Sequence, residues 1–233
     1  LYQVYREGMS ERGGKITHTL PKPALKPEAT DTWEFGMKKK VAEKTEIHTD
    51  VFYAKTSDQI NLIDTHEKDG DYTIKKYMNS GEAKTHGFEI SINQHHSDYW
   101  TSYANYTWQV GKIEGKRDWN IPRHLIHVGT TFHKDAWTVN LDGMFISNRY
   151  LATSDMNDTT NNYAAAYHGG HFKARDAYFL LNLNSTYQFN KNFSMQFAIE
   201  NVLDREYFDE DISTNHYYIG DGRTFTLSAR YAF

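Results

Sequence analysis

Thr224-Phe225-Thr226-Leu227-Ser228-Ala229-Arg230-Tyr231-Ala232-Phe233 closes the chain and decides how the rest is read. Successive side chains of an extended strand point to opposite faces. Phe225, Leu227, Ala229, Tyr231 and Phe233 therefore share one side, and Thr224, Thr226, Ser228 and Arg230 share the other. Working back from the terminus, Phe193, Met195, Phe197 and Ile199 oppose Ser194, Gln196, Ala198 and Glu200. Phe179, Leu181 and Leu183 alternate with Leu180, Asn182 and Asn184, and Trp137, Val139, Leu141 and Phe145 with Thr138, Asn140 and Asp142. Each segment is apolar on one face and polar on the other.

The same period continues upstream with more exceptions. Ile126, Val128, Thr130 and Phe132 oppose His127, Gly129, Thr131 and His133. Trp100, Ala104, Tyr106, Trp108 and Val110 oppose Thr101, Tyr103, Asn105 and Thr107. Phe88, Ile90 and Ile92 oppose Glu89, Ser91 and Asn93. Ile47, Val51 and Tyr53 lie opposite His48 and Asp50, although Phe52 breaks the pattern, and Trp33, Phe35 and Met37 oppose Glu34, Gly36 and Lys38. The reading gives about nine strands of roughly ten residues, longer than the usual five or six. Strands of about 9–11 residues suit a tilted bilayer crossing.

Connection lengths carry further information. Tight polar turns fall near 42–44, 95–98, 134–136 and 190–192, and long polar connections at 1–29, 64–76, 112–122, 150–175 and 205–222. Short and long alternate, as in an outer-membrane barrel with short periplasmic turns and long extracellular loops. A soluble lipocalin-like barrel also meanders, but nothing in it gathers the long loops at one end. The expected fold is all-β, an antiparallel up-and-down transmembrane β-barrel. Nine is an odd count, whereas bacterial single-chain barrels have even ones, and an open sheet leaves unpaired edges in lipid. The sequence is thus expected to be the C-terminal part of a larger barrel, with residues 1–29 a loop region and strands running from about 31 to 233.

Composition narrows the function. The 233 residues include 17 Tyr, 13 Phe and 5 Trp, which argues against disorder over the whole length. The absence of Cys excludes disulfide scaffolds, thiolate zinc sites and cysteine nucleophiles. A net charge of -4 gives no electrostatic footprint for nucleic acid. No Gly-x-Ser-x-Gly, His-Glu-x-x-His or phosphate-binding glycine loop is present, so catalysis is not expected. Asp64, Glu67, Asp69 and Asp71 lack the spacing of a calcium loop. No cofactor and no structural metal are expected.

Five stretches resemble the TonB-dependent outer-membrane receptors. Leu25-Lys26-Pro27-Glu28 followed by Trp33-Glu34-Phe35-Gly36 is similar to that family's "LKPE…E.G" segment, and Val51-Phe52-Tyr53 with Gln59-Ile60 to the next strand. Asn79-Ser80-Gly81-Glu82-Ala83 with Gly87-Phe88-Glu89 resembles "N.G.A…G.E". Asn201-Val202-Leu203-Asp204-Arg205-Glu206-Tyr207 resembles "NLFDKxY", and Gly222-Arg223-Thr224-Phe225 with Tyr231-Ala232-Phe233 the "RTF…Y.F" terminus. The resemblance implies the last nine strands of a 22-stranded barrel whose N-terminal plug is not in this sequence. It also implies uptake of a scarce nutrient energised through the TonB complex, with a ferric siderophore ranked first and haem second. Phe233 would be read by the barrel-assembly machinery. The protein would sit in outer-membrane lipid with its long loops extracellular and its C-terminus periplasmic. A small free-standing outer-membrane barrel with a passive binding or structural role is the alternative, and a soluble ligand-binding barrel a third reading.

Within these expectations the polar residues Glu34, Glu89, Asn182, Asn184, Glu200 and Arg230 face the lumen. Trp100, Trp137, Tyr187 and Phe233 form an interfacial girdle. The His168-Gly169-Gly170-His171 stretch, with Tyr163 and Tyr167, offers imidazoles that could hold metal or haem, against the plainer reading of a solvated loop. Arg149, Tyr150, Tyr163 and Arg175 on loops suit an anionic iron chelate through charge and cation–π contacts, and Tyr217 and Tyr218, in the acidic 205–222 loop, are further ligand-binding candidates.

Overall fold

The computed structural model describes residues 7–12, 15–22, 24–118, 121–149, 176–213 and 216–233, which form strands, turns and irregular segments and no helix. In chain order β1 spans Gly8–Arg12, β2 Lys15–Leu20, β3 Ala29–Ala42 and β4 Thr45–Ser57. β5 (Ile60–Asp69) and β6 (Tyr72–Asn79) follow, then the long β7 (Glu82–Ser97) and β8 (Trp100–Ile113). Short β9 (Lys116–Asp118) precedes β10 (His124–Lys134), β11 (Trp137–Ile146), β12 (Tyr178–Gln188) and β13 (Phe193–Glu200). β14 (Phe208–Ser213), β15 (His216–Ile219) and β16 (Thr224–Tyr231) come last.

The chain divides into two compact units. One takes Glu34–Val51, Gly87–Val110 and Asp118–Phe233. Apart from the separate β14–β15 hairpin, its strands, some only in part, belong to a sheet ordered β16-β13-β12-β11-β10-β8-β7-β4-β3, with β9 beside β8. The nine strands of that path are the nine expected from period-two alternation. Its tight turns fall at 43–44, 98–99, 135–136 and 189–192, each within or beside an expected position. The other connections are the long ones.

Register shows how the alternation is used. Phe132↔Trp100, Phe132↔Val139, Leu141↔Leu183, Phe197↔Leu227 and Ile199↔Phe225 join into one continuous apolar face across β8, β10, β11, β12, β13 and β16. Thr131↔Asn140, Asp142↔Asn182, Asn140↔Asn184, Gln196↔Ser228 and Ser194↔Arg230 build the opposite, polar face. On β7, Glu89 accepts a hydrogen bond from Thr107 on the polar side at 3.2 Å, while Phe88 meets Tyr106 and Trp108 on the apolar side. The apolar face is not a core. Among the described residues only Tyr77, Tyr178 and Leu180 are buried apolar side chains, whereas Trp33 is 74% and Leu227 68% exposed. A monomeric water-soluble protein rarely presents so continuous an apolar surface. A bilayer is the solvent such a face fits.

Aromatic rings collect where the short turns are. Trp137 and Tyr187 lie 4.7 Å apart, Tyr187 and Phe189 4.7 Å, and Tyr231 and Phe233 5.1 Å, and His96 stacks on Trp100 at 4.0 Å. This is the girdle arrangement that anchors a strand end at a membrane interface. The two ends of the sheet are bare: every position of β3 and of β16 is exposed.

The other unit takes Leu1–Trp33, Phe52–His86 and Gly111–Arg117. It contains a four-stranded sheet ordered β1-β2-β6-β5, in which β2 runs parallel to β6 with Thr17↔Thr73 and Leu20↔Lys76. The long connections 1–29, 64–76, 112–122 and 205–222 are therefore not simple loops. β1 and β2 lie in the first, the β5–β6 hairpin takes in the second, β9 the third, and the β14–β15 hairpin the fourth. Ile60-Asn61-Leu62-Ile63-Asp64-Thr65-His66 shows no clean apolar row, so the period that exposes the other strands is missing there.

Candidate functional site at the long-connection ends

Residues that carried the family resemblance prove to hold the bases of the long connections. Asn79 accepts a hydrogen bond from the Lys26 backbone N–H and donates to the Lys26 and Asp58 carbonyls, at 2.8, 2.8 and 2.9 Å. Glu28 accepts from the Ile60 N–H at 2.7 Å. Gly81 sits at φ 118°, and a Cβ there would come 2.7 Å from the Glu114 carboxylate and 2.8 Å from the Asn61 amide. The "LKPE", "QI" and "N.G.A" stretches, far apart in sequence, thus form one staple.

A second staple closes the last long connection. Asn201 is buried, receives the Arg205 N–H at 2.8 Å, and donates to the Arg205 and Asp221 carbonyls. Its own N–H reaches the Asn182 side chain at 2.9 Å. Asp204 accepts the Arg223 N–H at 2.9 Å, and the Arg223 guanidinium reaches the Val202 carbonyl and the Asp204 carboxylate. Beyond them the Tyr207 ring covers Gly220 and packs on Tyr178 at 4.8 Å. Here a polar side chain does what a turn's own backbone cannot, satisfying carbonyls left over where the ladder ends.

Between β10 and β11 the wall ends differently. Ser147 and His124 are joined by two bonds, the His124 N–H to the Ser147 side-chain Oγ and the Ser147 N–H to the His124 carbonyl, each 3.0 Å. His124 Nδ1 also pairs with the Tyr106 hydroxyl at 2.9 Å. One step beyond stands Arg123, and two steps beyond Ser147 stands Arg149. The Arg123 Nε and the Arg149 Nε and Nη2 are buried and have no hydrogen-bond partner among the described residues. Guanidinium N–H groups out of water without acceptors are costly, and an arriving oxyanion would relieve that cost. Sequence reading picked out Arg149 but missed Arg123, because a residue after Ile121-Pro122 carries no motif; only its unpartnered Nε in the structure reveals it.

Tyr150, Tyr163, Tyr167, His168, His171 and Arg175 lie outside the described residues. Tyr217 and Tyr218 belong to β15 in the hairpin with β14, Tyr217 opposite Asp211 in register. Phe233 follows β16 at the short-turn end and is fully exposed. Among the described residues no group of three or more His, Asp or Glu converges as a metal site. Asp64 instead accepts the His66 N–H, and Glu67 pairs with Lys76 at 3.2 Å.

Past Tyr53 and before Phe88, Glu82 pairs with Lys55 at 2.7 Å and with Lys84. Hydrogen bonding to the two ammonium groups holds the Glu82 carboxyl below its ordinary range, and the same bond to Glu82 raises Lys55.

A one-walled sheet, apolar outside, polar inside and girdled at its short turns, defines a portion of an outer-membrane β-barrel. The family description "TonB dependent receptor-like, beta-barrel" matches residues 1–202, and the chain belongs to the TonB-dependent receptor family. Catecholate siderophore receptor Fiu of Escherichia coli K12 is 24% identical over 223 residues, covering 90% of this chain and 26% of that protein. Heme/hemopexin utilization protein C of Haemophilus influenzae is 28% identical over 247 residues, covering 97% of this chain and 32% of that protein. The ferric enterobactin receptor PfeA of Pseudomonas aeruginosa, solved as a double mutant, superposes with a TM-score of 0.76 at 16% identity, over 100% of this chain and 36% of that one. The chain thus spans between a quarter and about a third of the length of these relatives. The family consists of outer-membrane receptors for nutrient uptake.

Proposed function

We propose that residues 1–233 form the C-terminal barrel portion of an outer-membrane receptor that imports a ferric siderophore using energy delivered through TonB. The long connections, including 1–29, face outside the cell, and Phe233 lies at the periplasmic end. The observation that carries the ligand class is the pair Arg123 and Arg149: the buried Arg123 Nε and the buried Arg149 Nε and Nη2 have no acceptor among the described residues. Anionic oxygen-rich chelates suit such donors, and bidentate geometry adds specificity. Arg175, Tyr150, Tyr163, Tyr167, Tyr217 and Tyr218 would complete the capture surface. Plug and TonB would supply the energised step, which none of the residues described here performs. The bare edges of β3 and β16 support a larger barrel, since each unpaired backbone group in hydrocarbon costs several kcal/mol.

A haem receptor is the second reading, favoured by the hemopexin-utilization relative, whose match covers 97% of this chain, and by His168 and His171 as iron ligands. Growth of a strain deleted for the full-length receptor, under iron limitation, separates them. Loss of growth on catecholate siderophores but not on haem, restored by the receptor only when TonB is present, supports the first reading. Loss on haem alone installs the second, and restoration without TonB rejects energised uptake.

A further inference from the structure

The apolar face is not uniformly ridged. Ser185, a small residue on β12, stands in that face with Val139 opposite on β11 and Phe197 opposite on β13. Around it rise Trp137, Tyr187, Met195 and Leu227, and together they line an open slot of about 460 Å³. That size lies within the ligand-pocket range of about 300–1,000 Å³. Its girdle end is closed by the Trp137–Tyr187 and Tyr187–Phe189 ring pairs, beside the turn Asn190-Lys191-Asn192. The turn's own amide groups are occupied: Asn190 accepts the Asn192 and Phe193 N–H groups, and Asn192 donates to the Ala232 carbonyl. Lys191 is exposed, has no ion pair among the described residues, and no acid shares its turn.

We infer that this slot is a phospholipid site, holding one acyl chain over Ser185 with the phosphate of an anionic headgroup at Lys191. Two observations fix the occupant. The slot is continuous with the surface that meets hydrocarbon, so a chain enters it sideways from the bilayer. The cation lies at the girdle, where headgroup phosphates sit. Ordinary boundary lipid slides over a ridged aromatic surface. A slot with a floor, a closed end and a cation at that end retains one molecule. The inference rests on the membrane reading above, and the short-turn side being periplasmic makes the ligand a phospholipid rather than lipid A.

The test uses the full-length receptor reconstituted in nanodiscs of phosphatidylethanolamine and phosphatidylglycerol with added lipid A, then released for native mass spectrometry. The wild type should retain one phosphatidylglycerol. Ser185→Phe and, independently, Met195→Trp fill the slot and should lower retention about tenfold, the equivalent of losing roughly two buried methylene groups. Lys191→Glu should shift the retained lipid to phosphatidylethanolamine. Heat-modifiable gel mobility identifies which filled variants are folded barrels, and either one suffices. Equal retention in wild type and a folded, filled variant overturns the site. Retention of lipid A instead overturns both the headgroup assignment and the periplasmic placement of the short turns, leaving the barrel assignment intact.

Discussion

The Tyr103 hydroxyl on β8 donates to Asp142 Oδ1 on β11 at 2.7 Å, and it does so by laying its ring across Gly129 of the intervening β10. A Cβ at position 129 would stand 2.4 Å from that ring and 2.7 Å from the carboxylate. The glycine is required for clearance, since it lies within a regular strand. Gly129→Ala in the full-length receptor should therefore destabilise the barrel by about 1–3 kcal/mol, the usual cost of overpacking. Urea unfolding of the reconstituted protein, followed by heat-modifiable mobility, measures it; a variant as stable as wild type would show that the ring is free to move aside.

Asn201 makes the larger commitment. It is 4% exposed and its side chain serves Arg205 and the Asp221 carbonyl at once. Asn201→Ala strands several backbone groups, each worth about 1–3 kcal/mol when left unsatisfied. Proteolysis of the 205–222 segment in intact cells should rise while the β12–β13 ladder stays protected in hydrogen exchange. Unchanged proteolysis would mean that water replaces the amide without loss.

The Glu82 cluster carries a pH dependence whose sign is fixed. Its carboxyl is held below the ordinary 4.5, so the stabilisation is present above that value and is lost as pH falls through the lowered one. Lys55 is raised above 10.5, so its share is present below that value and is lost as pH rises through the raised one. Amide exchange near Ser80–Ala83 should stay slow between those limits, relative to the intrinsic rate, and lose its acid-side dependence in Glu82→Gln.

Arg123→Ala and Arg149→Ala should each weaken binding of an anionic ferric chelate about 10–100-fold, corresponding to the roughly 1.5–3 kcal/mol of a charge-assisted hydrogen bond. Titration of the purified receptor by tryptophan fluorescence measures the loss. A neutral chelate bound equally by both variants and wild type, with no effect on the anionic one, would remove these residues from the ligand surface.

Phe233 touches little besides Tyr231, whereas its neighbour Ala232 is tied to Asn192 in both directions. Deleting Phe233 should leave the stability of refolded receptor within about 0.5 kcal/mol of wild type, as for surface changes generally, while lowering the amount assembled in cells. Pulse-chase assembly and in vitro unfolding separate the two effects.

The wall was legible in sequence because a lipid-facing strand writes its environment into every second residue. From Trp137 to Asp142 and from Phe193 to Glu200 the faces read from the alternation are those the ladders show, whereas the register between strands is not written in the alternation. β1, β2, β5 and β6 leave no such mark, since no clean apolar row alternates along them. The staples were visible as motifs, but not their purpose. Asn79 and Lys26 are joined by hydrogen bonds between positions far apart in sequence, and a spacing says nothing of an acceptor. Arg123 was hidden for the same reason, being defined by what its guanidinium lacks.

The parallel pairing of β2 with β6 ties Thr17–Leu20 to Thr73–Lys76. Closing so long an intervening stretch is entropically expensive, although the cost grows only logarithmically with length. Once closed, two surface excursions that are separate in sequence become one mechanical plate. Neither can swing without the other, and a force applied to the hairpin tip at Gly70 is felt at Ser10.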